Sequence, residues 1–332
     1  MNVKSFVLRL CIFAAVFLLV DYLSGFAFRF LDNHAGDKFA RENFIRHEMY
    51  ADVIIMGSSK AAHQYVPSIL KDSLGMSVFN CGQRGNGIIY EYGRLATIYQ
   101  RYTPKVIILD VIKGYDLDVN DNSRYLHFLK NDYGTNNIVD SLFLKIDKWN
   151  KYKMKINGYR YNSTICDLLI NTIMKNRQRF QSDGYAPLMG SKLANDKTLK
   201  KSTKGEFQET DALKTECLER IVAEKKDNCS LVYVISPTYK IIEKKDYDIV
   251  RRICNKYDIP LLEYENDRRF VGKATYFHDG SHLNDEGAKY FTRILASDIK
   301  RILYIQPQRD PCDSECGKGD ERHNRDSDCG EK

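Results

Sequence analysis

The sequence lacks the patterns that mark several common protein classes. No Gly-x-Gly-x-x-Gly turn follows its first strand-like run, which argues against a flavodoxin-like nucleotide binder. It has no arginine-rich helix, zinc-finger spacing or RNA-recognition motif, so its net charge of +7 does not indicate nucleic-acid binding. It also shows no internal repeats. What is left is a basic chain of 332 residues, long enough for one large α/β domain with insertions or for two domains.

The acidic side chains are concentrated at the C-terminal end. Residues 305–332 carry five basic and eight acidic side chains, so the remainder carries a charge of about +10. That charge suits an anionic polysaccharide or a membrane surface. The tail is poor in apolar residues and is predicted to be disordered. Its Cys312, Cys316, Cys329 and His323 match no standard zinc spacing, so we expect no metal or cofactor, while a disulfide within the tail stays an alternative.

The one long apolar run lies at the N-terminus, from Phe6 to Phe28, and its only charges are Arg9 and Asp21. As a helix it would be about 35 Å long, enough to cross a hydrocarbon core of about 30 Å. Lys4 and Arg9 predict a cytoplasmic N-terminus, which would put the rest of the chain outside the cytoplasm, in the periplasm or beyond the cell.

A cleaved signal peptide is the competing interpretation, with an apolar core at Leu10–Val20 and a small-x-small site at Gly25-Phe26-Ala27. A helix of a cytosolic protein is a third. We favour the uncleaved anchor. The predicted organisation is an anchor or signal segment over residues 1–30, a linker over 31–50, a catalytic domain over 51–304 and the tail over 305–332.

Between the linker and the tail, short apolar runs alternate with helical patterns. This pattern predicts a three-layer α/β/α sandwich of about five parallel strands, because strands covered on both faces by helices are apolar throughout. The predicted strands are Val53–Met56, Ser77–Asn80, Val106–Val111, Leu231–Ser236 and Pro260–Tyr264. The predicted helices are Lys60–Asp72, Ile88–Tyr102, Asp211–Lys226, Lys244–Tyr257 and Asn284–Ile302.

The alternation fails over residues 117–211, which we interpret as a largely helical insertion that caps the site or forms a wall facing the substrate. It contains a predicted helix, Ile165–Arg177, and a lysine-rich loop, Lys192–Lys204. Three of its tyrosines are candidates for stacking on sugar faces, although tyrosines of inserted subdomains more often serve packing. These are Tyr152, Tyr159 and Tyr161.

Two short segments carry the chemistry. Gly57-Ser58-Ser59 follows the first strand, so a serine hydroxyl should lie at the carboxyl end of a buried strand, where α/β sheets keep their sites. Asp279 and His282 lie three residues apart before the last helix. A nucleophile, a base and an orienting acid are what serine catalysis needs. The simpler interpretations are an N-cap for Ser59 and a turn residue for Asp279, and Ser58 is a second candidate nucleophile.

This layout resembles the SGNH (GDSL-type) hydrolase family. The family's Gly-Asp-Ser block corresponds to residues 57–59, with Ser58 in place of the aspartate, and its Asn-x-Gly-x-x-Gly-like block to Asn80 to Gly85 after the second strand. The Asp-x-x-His block is matched by Asp279 and His282. The resemblance implies a flavodoxin-like SGNH fold in which Ser59 is the nucleophile, His282 the general base and Asp279 its orienter. It further implies an oxyanion hole built from the backbone N–H groups of Ser59 and Gly85.

One block departs from the family. After the third strand the chain reads Ile112-Lys113-Gly114-Tyr115-Asp116, without the asparagine that normally donates to the oxyanion. Tyr115, Lys113 or a group of the insertion are candidates to replace it. Asn80, Tyr115 and His63 are also candidates to line the substrate site. In its Gly-Ser-Ser form and its missing asparagine, the chain resembles a divergent branch of the family that includes envelope O-acyltransferases of the alginate-acetylation and teichoic-acid D-alanylation type.

The resemblance implies a membrane-anchored serine esterase or O-acyltransferase that acts on acyl esters, commonly acetyl, of cell-surface carbohydrate through an acyl-serine. Its partners would be an acylated carbohydrate or envelope polymer, the membrane and a membrane protein that donates the acyl group. The alternative is a polysaccharide-binding envelope protein that keeps the fold and lacks turnover.

Overall fold

A computed structural model describes residues 2–162, 164–174, 180–193 and 209–305. At the centre of these residues is a parallel sheet with the strand order β2-β1-β3-β4-β5. Its strands are β1 (Val53–Met56), β2 (Val78–Asn80), β3 (Val106–Asp110), β4 (Ser230–Ile235) and β5 (Leu261–Glu263). Val53 lies opposite Val78 on one side and Val106 on the other. The order reverses direction between β1 and β3, which is where open α/β sheets form their binding crevice.

Helices cover both faces of this sheet, which confirms the predicted α/β class. The helices are α1 (Val3–His34), α2 (Lys38–His47), α3 (Ser59–Gln64), α4 (Pro67–Leu74), α5 (Ile88–Tyr99), α6 (Lys113–Asp116), α7 (Asn137–Ile146), α8 (Asn150–Lys153), α9 (Asn157–Tyr161), α10 (Ile165–Ile173), α11 (Ala212–Ala223), α12 (Asp248–Lys256) and α13 (Asp285–Ile305). Short 3-10 helices span Asn122–Asp132, Lys244–Tyr247 and Ala274–Tyr276.

The strands divide their side chains between two cores. Val53 and Ile55 of β1 point to a core shared with α3, α4 and α13. Ile54 and Met56 point to the other core, shared with α5, α11, α12 and the insertion. This alternation follows from the two-residue period of a strand, and burial on both faces explains why the strands are apolar throughout.

One predicted helix is two helices in the structure. The pattern over Lys60–Asp72 predicts a continuous helix, but α3 ends at Gln64 and α4 begins at Pro67. Proline has no N–H to donate and disfavours helical backbone in the residue before it, so it starts a helix rather than continuing one.

The stretch predicted as a linker, residues 31–50, is structured in its greater part. It holds the end of α1 and all of α2, whose Phe39 and Ile45 are buried. Its polar composition comes partly from Arg41 and Glu42, which are buried as well. The segment is therefore part of the folded body.

The insertion is helical, as predicted, and packs on the α5 face of the sheet through α7 and the 3-10 helix Asn122–Asp132. Its predicted helix over Ile165–Arg177 is observed as α10 up to Ile173, and the remainder of that prediction extends beyond the described residues. Most of the lysine-rich loop, the tail from residue 306 and the Cys312, Cys316, Cys329 and His323 group also lie outside them.

Helix α1 is long and apolar enough to cross a membrane, with a mean hydropathy of 2.3 in its most apolar window. The side chains of its first two thirds are largely exposed, whereas its last third packs on the insertion. Gly25 is buried against the side chain of Asn157, and Phe28 packs on Tyr161 with the rings tilted by 38° and their centroids 5.1 Å apart. The apolar helix and the body therefore meet over its C-terminal third.

Candidate active site

Ser59 is the first residue of α3 and follows β1 by a two-residue turn. Gly57 makes that turn with a φ of 138°, and a Cβ on it would lie 2.7 Å from the carbonyl oxygen of Asp110. Glycine is therefore required for the chain to leave β1 so close to the end of β3. Ser59 is partly exposed, whereas Ser58, the other candidate nucleophile, is completely buried.

Asp279 and His282 share one tight turn before α13. The N–H of His278 donates to the carbonyl of His282 over 2.8 Å and closes the turn. Asp279 Oδ1 accepts the backbone N–H groups of Ser281 and His282, each over 2.9 Å. Asn284 then caps α13 by accepting the N–H of Gly287 over 2.9 Å. The acid and the base are thus fixed relative to each other by local bonds.

The structure brings these residues together with Ser59. His282 Nε2 lies 2.9 Å from Ser59 Oγ, and His282 Nδ1 lies 3.0 and 3.1 Å from the two carboxylate oxygens of Asp279. A carboxylate can only accept at Nδ1, so Nδ1 carries the proton and Nε2 is free to accept one from the serine. This arrangement can deprotonate a serine hydroxyl and hold the resulting imidazolium.

The charge on Asp279 is favoured by its surroundings. Partial burial alone would raise the pKa of Asp279, but the N–H of Ser281 and the side chain and N–H of His282 outweigh burial and hold this pKa below its usual range. An ionised Asp279 is what an orienting acid requires.

His63 lies against His282 and away from solvent. The two rings meet edge to face with centroids 5.5 Å apart, and His63 Nδ1 lies 2.5 Å from the carbonyl oxygen of Ala186. Burial, which outweighs the opposing effect of the Ala186 carbonyl, and the nearby His282 together lower the pKa of His63 to about 4. His63 is therefore neutral at pH 7 and supports the base ring, whereas the sequence suggested that it lines the substrate site.

Asn80 is completely buried and belongs to the frame of the site. Its Nδ2 donates to the carbonyls of Ala61 and Tyr65 over 2.8 and 3.0 Å, and its Oδ1 accepts the N–H of Gly82 over 2.9 Å. Both ends of this amide are engaged with backbone. Asn80 thus fixes α3 relative to the loop after β2, and its sequence-predicted contact with substrate has no free group to rest on.

Gly85 lies in the same loop, which is bound to the turn before Ser59. The N–H of Gln83 donates to the carbonyl of Gly57 over 2.8 Å. Gly85 has a left-handed φ of 75°, and the nearest atom to a Cβ built on it is an Arg124 nitrogen 4.0 Å away. The backbone around Gly85 is therefore open on that side. The N–H of Ser59 has no acceptor within α3, as for any first residue of a helix.

Arg41 of α2 braces this loop, and no pattern in the sequence singles it out. Its Nη2 donates to the carbonyls of Asn80 and Gly82 over 2.6 and 2.9 Å, and its Nη1 lies 3.4 Å from Gln83 Oε1. Arg41 lies in the predicted linker, and its partners are some forty residues away, so no local pattern indicates the contact.

In the loop after β3, the two residues suggested as replacements for the missing asparagine have other contacts. Lys113 pairs with Asp246 over 2.8 Å, and Tyr115 is half-buried with Arg124 5.7 Å above its ring. Asp116 is buried and accepts the N–H groups of Ile112 and Ile88, over 2.6 and 2.7 Å. Burial raises the pKa of Asp116 to about 7 in spite of these donors. The loop is thus tied to α5.

A cavity of about 490 Å³ opens beside Gly85, between its loop and the insertion. Arg124 Nη2 lies 3.5 Å from the Gly85 carbonyl oxygen at its rim. Of the three candidate tyrosines only Tyr159 lines this cavity, because Tyr161 is buried against α1 and Tyr152 is on the outer surface. Other lining residues are Lys38, Asn86, Ser123, Leu126, His127, Phe128, Lys130, Phe143, Ile146, Asp147, Asn150, Met154 and Asp167.

No protein-family model matches the chain, and no curated protein does. Among solved structures, one from Streptococcus pneumonia, described as a platelet activating factor, is 13% identical with a TM-score of 0.39 over 86% of this chain and 99% of that one. A protein from Lactobacillus plantarum is 13% identical with a TM-score of 0.38, over 78% of this chain and 99% of that one. A gut microbial diltiazem-metabolizing enzyme is 11% identical with a TM-score of 0.35, over 75% of this chain and 46% of that one. These distant likenesses assign neither family nor activity, which leaves function to the site's own geometry.

Proposed function

We propose that the chain is a membrane-anchored serine esterase or O-acyltransferase of the SGNH type, which acts on acyl esters of cell-surface carbohydrate outside the cytoplasm. The observation that carries this proposal is the contact of Ser59 Oγ with His282 Nε2 at 2.9 Å, with Asp279 on the other ring nitrogen. A nucleophile, a base and an orienter in hydrogen-bond reach of one another are the signature of an activated serine.

In the first half-reaction, Ser59 Oγ attacks the ester carbonyl carbon while its proton passes to His282 Nε2. The negative charge that develops on the carbonyl oxygen is held by the backbone N–H groups of Ser59 and Gly85. The tetrahedral intermediate then expels the alcohol, which takes the proton from His282, and an acyl-serine remains. Asp279 stays ionised throughout and stabilises the imidazolium.

In the second half-reaction His282 Nε2 takes a proton from the acceptor, whose oxygen attacks the acyl carbon. The bond from that carbon to Ser59 Oγ then breaks, and Ser59 takes the proton back from His282. Water as acceptor releases a carboxylic acid and makes the protein an esterase. A sugar hydroxyl makes it an O-acyltransferase and forms a new ester. The open cavity beside Gly85 has room for such an acceptor, and a membrane partner that supplies the acyl group fits an anchored enzyme.

The absence of the third-block asparagine lowers the expected rate. Loss of one oxyanion donor costs about 10²–10³ in rate in enzymes that depend on it. The engagement of Lys113 with Asp246 favours a second candidate function, a polysaccharide-binding envelope protein without turnover. The hydrogen-bond contact between Ser59 and His282 favours the enzyme, because a binding protein has no need of an activated serine.

The packing of α1 supports the uncleaved anchor. Asp21 and Gly25 contact Asn157, and Phe28 packs on Tyr161, so the helix continues without interruption into the folded body. Cleavage after Ala27 would remove Asp21 and Gly25 and expose the insertion surface that they cover.

Fluorophosphonate labelling of the full chain in detergent tests the proposal, with the modified residue mapped by mass spectrometry. We expect one adduct, on Ser59, which is lost in Ser59→Ala and kept in Ser58→Ala. A folded protein that stays unlabelled, or that is labelled equally in Ser59→Ala, would contradict the enzyme and favour the binding protein. Release of acetate from acetylated polysaccharide, against transfer to added oligosaccharide, then separates esterase from transferase.

A further inference from the structure

Asp21 lies within the apolar helix α1, and its carboxylate is hydrogen-bonded to the insertion. It accepts the backbone N–H of Asn157 over 2.9 Å and that of Gly158 over 2.7 Å, and Asn157 Nδ2 donates to the Asp21 carbonyl over 3.2 Å. A carboxylate in a membrane helix is costly unless its oxygens are satisfied. Here the chain leading into α9 satisfies them, so this part of the insertion is fixed at the level of Asp21.

That level can be placed relative to a bilayer. A hydrocarbon core of about 30 Å takes about 20 helical residues. If the core begins at Phe6 it ends near Gly25, which puts Asp21 about 6 Å inside the outer edge. If it begins at Leu10, after Arg9, it ends near Arg29 and Asp21 is about 12 Å inside. Tilt of the helix needs more residues and moves Asp21 deeper still. The start of α9 therefore meets the outer interface or enters it.

The chain just before α9 has the composition of an interfacial surface. Trp149, Tyr152 and Ile156 are 57, 58 and 39% exposed, large values for apolar side chains. They recur at the helical spacing i, i+3 and i+7, and the rings of Trp149 and Tyr152 are 6.2 Å apart. The neighbouring Lys148, Lys151 and Lys155 are exposed too. We call these six residues the α8 surface.

We propose that the α8 surface enters the outer interface of the lipid bilayer in which α1 is anchored, so that the body is attached at two points. This inference rests on the anchor part of the proposed function and does not depend on the catalytic part. Tryptophan and tyrosine favour the headgroup level, where the ring is half in hydrocarbon and its polar edge stays hydrated. The lysines reach the lipid phosphates with their stems along the apolar surface.

The partner follows from continuity and charge. The α8 surface continues the exposed apolar surface of α1 through the Asp21–Asn157 contact, and its exposed charges are positive. The acid next to it in the sequence, Asp147, is paired with Lys153 over 2.7 Å. If α1 were the only attachment, the body could tilt relative to the bilayer, and the cavity beside Gly85 would have no fixed height above the membrane surface. Attachment at a second point fixes the height and direction of that cavity relative to the membrane surface.

The chain contains a single tryptophan, Trp149, so its fluorescence reports on this surface without any substitution. The full chain is reconstituted into phosphatidylcholine vesicles, with and without bromine atoms on the upper acyl carbons. We expect Trp149 emission to shift to the blue relative to the urea-unfolded chain, to lose most of its intensity in brominated vesicles, and to resist aqueous iodide. Emission that iodide quenches and brominated lipid leaves unchanged, in vesicles that carry the chain on flotation, would overturn the inference.

Two variants control the measurement. Trp149→Phe combined with Tyr304→Trp moves the probe to the exposed end of α13, which packs on the opposite face of the sheet. There we expect quenching by iodide only. Tyr152→Glu with Ile156→Glu keeps Trp149 and should restore most of its intensity in brominated lipid, whereas Tyr304→Glu should not.

Flotation separates failure of this inference from failure of the proposed function. A chain that does not float lacks the anchor, and the inference falls with it, while labelling of Ser59 still decides the catalytic proposal. A chain that floats and is labelled, yet shows no lipid quenching, loses the second attachment alone.

Discussion

The two sides of Ser59 are held by different means. On the base side, Asp279 and His282 occupy one turn, and bonds between near neighbours fix their geometry. On the proposed oxyanion side, Gly85 lies in a loop that Arg41 braces from α2, the helix that follows α1. The base side is thus local and self-contained, whereas the oxyanion side depends on distant parts of the chain. Proton transfer and charge stabilisation should therefore respond to different substitutions.

The largest effect is expected from removal of the base. In His282→Ala, Ser59 has no group to accept its proton, so labelling by fluorophosphonate should slow by about 10²–10⁴-fold. His278→Ala is the matched control, because His278 is in the same turn and its ring contacts the Met189 carbonyl instead of Ser59. We expect the control to label within a small factor of the parent rate, and equal loss in both variants would contradict the assignment.

The next effect is expected on the oxyanion side. Arg41→Met leaves the buried carbonyls of Asn80 and Gly82 without their donor, at about 1–3 kcal/mol for each group in the free energy of unfolding. Displacement of the loop should also slow labelling by up to about 10²-fold. Rates are measured at a temperature where circular dichroism shows the variant folded.

Arg46→Met is the control for that experiment. Arg46 is also in α2 and is mostly buried, but it pairs with Asp132 over 2.9 Å and makes no contact with the loop. We expect it to lose stability and to keep the labelling rate of its folded form. If both variants slow labelling equally, the brace acts through overall stability alone.

A pH effect is expected on the base side. His63 has a pKa of about 4 in the folded chain and 6.5 as its ordinary value. Between these values the unfolded chain binds the proton and the folded chain does not, so acid favours unfolding. Stability is full above pH 6.5, and up to about 3 kcal/mol is lost as the pH falls toward 4.

His63→Gln can still donate to the Ala186 carbonyl but does not titrate. Urea titrations at pH 7 and pH 4.5 should therefore show a smaller acid-induced loss of unfolding free energy in this variant than in the parent. His127, whose burial also lowers its pKa to about 4, adds a loss common to both. Equal losses in the two proteins would show that His63 is not held neutral.

The smallest effect is expected from Gly85→Ala. A side chain at a φ of 75° costs roughly 1–2 kcal/mol, and no atom lies closer than 4.0 Å to the new Cβ. Gly75→Ala carries the same backbone strain at a φ of 67°, at the end of α4. Both should lose similar stability, measured by urea titration, and only Gly85→Ala should also slow labelling. Slower labelling in both variants would contradict a specific role of Gly85 in the reaction.

The sequence allowed more of the base side to be anticipated than of the oxyanion side. The strand before Ser59 and the turn before α13 are local patterns, and parallel strands bring their carboxyl ends to one edge. Their catalytic roles stay predictions until the labelling is done. The brace by Arg41 and the docking of Asp21 join residues about 40 and 136 positions apart, and no local pattern encodes such contacts. The chemistry of proline indicates the helix break before Pro67, but the helical periodicity of the segment predicts a continuous helix instead.

The shared turn of Asp279 and His282 has a dynamic consequence. Because both residues move with the same peptide, a displacement of that turn leaves the distance between acid and base unchanged and alters only the reach to Ser59. Asp279 and His282 then move as one rigid unit, and the only distance that changes is the one between His282 and Ser59. The hydrogen bond from Nδ1 to Asp279 should therefore persist whether Ser59 is free or carries an acyl group, and a downfield NMR signal of the Nδ1 proton in both forms would show it.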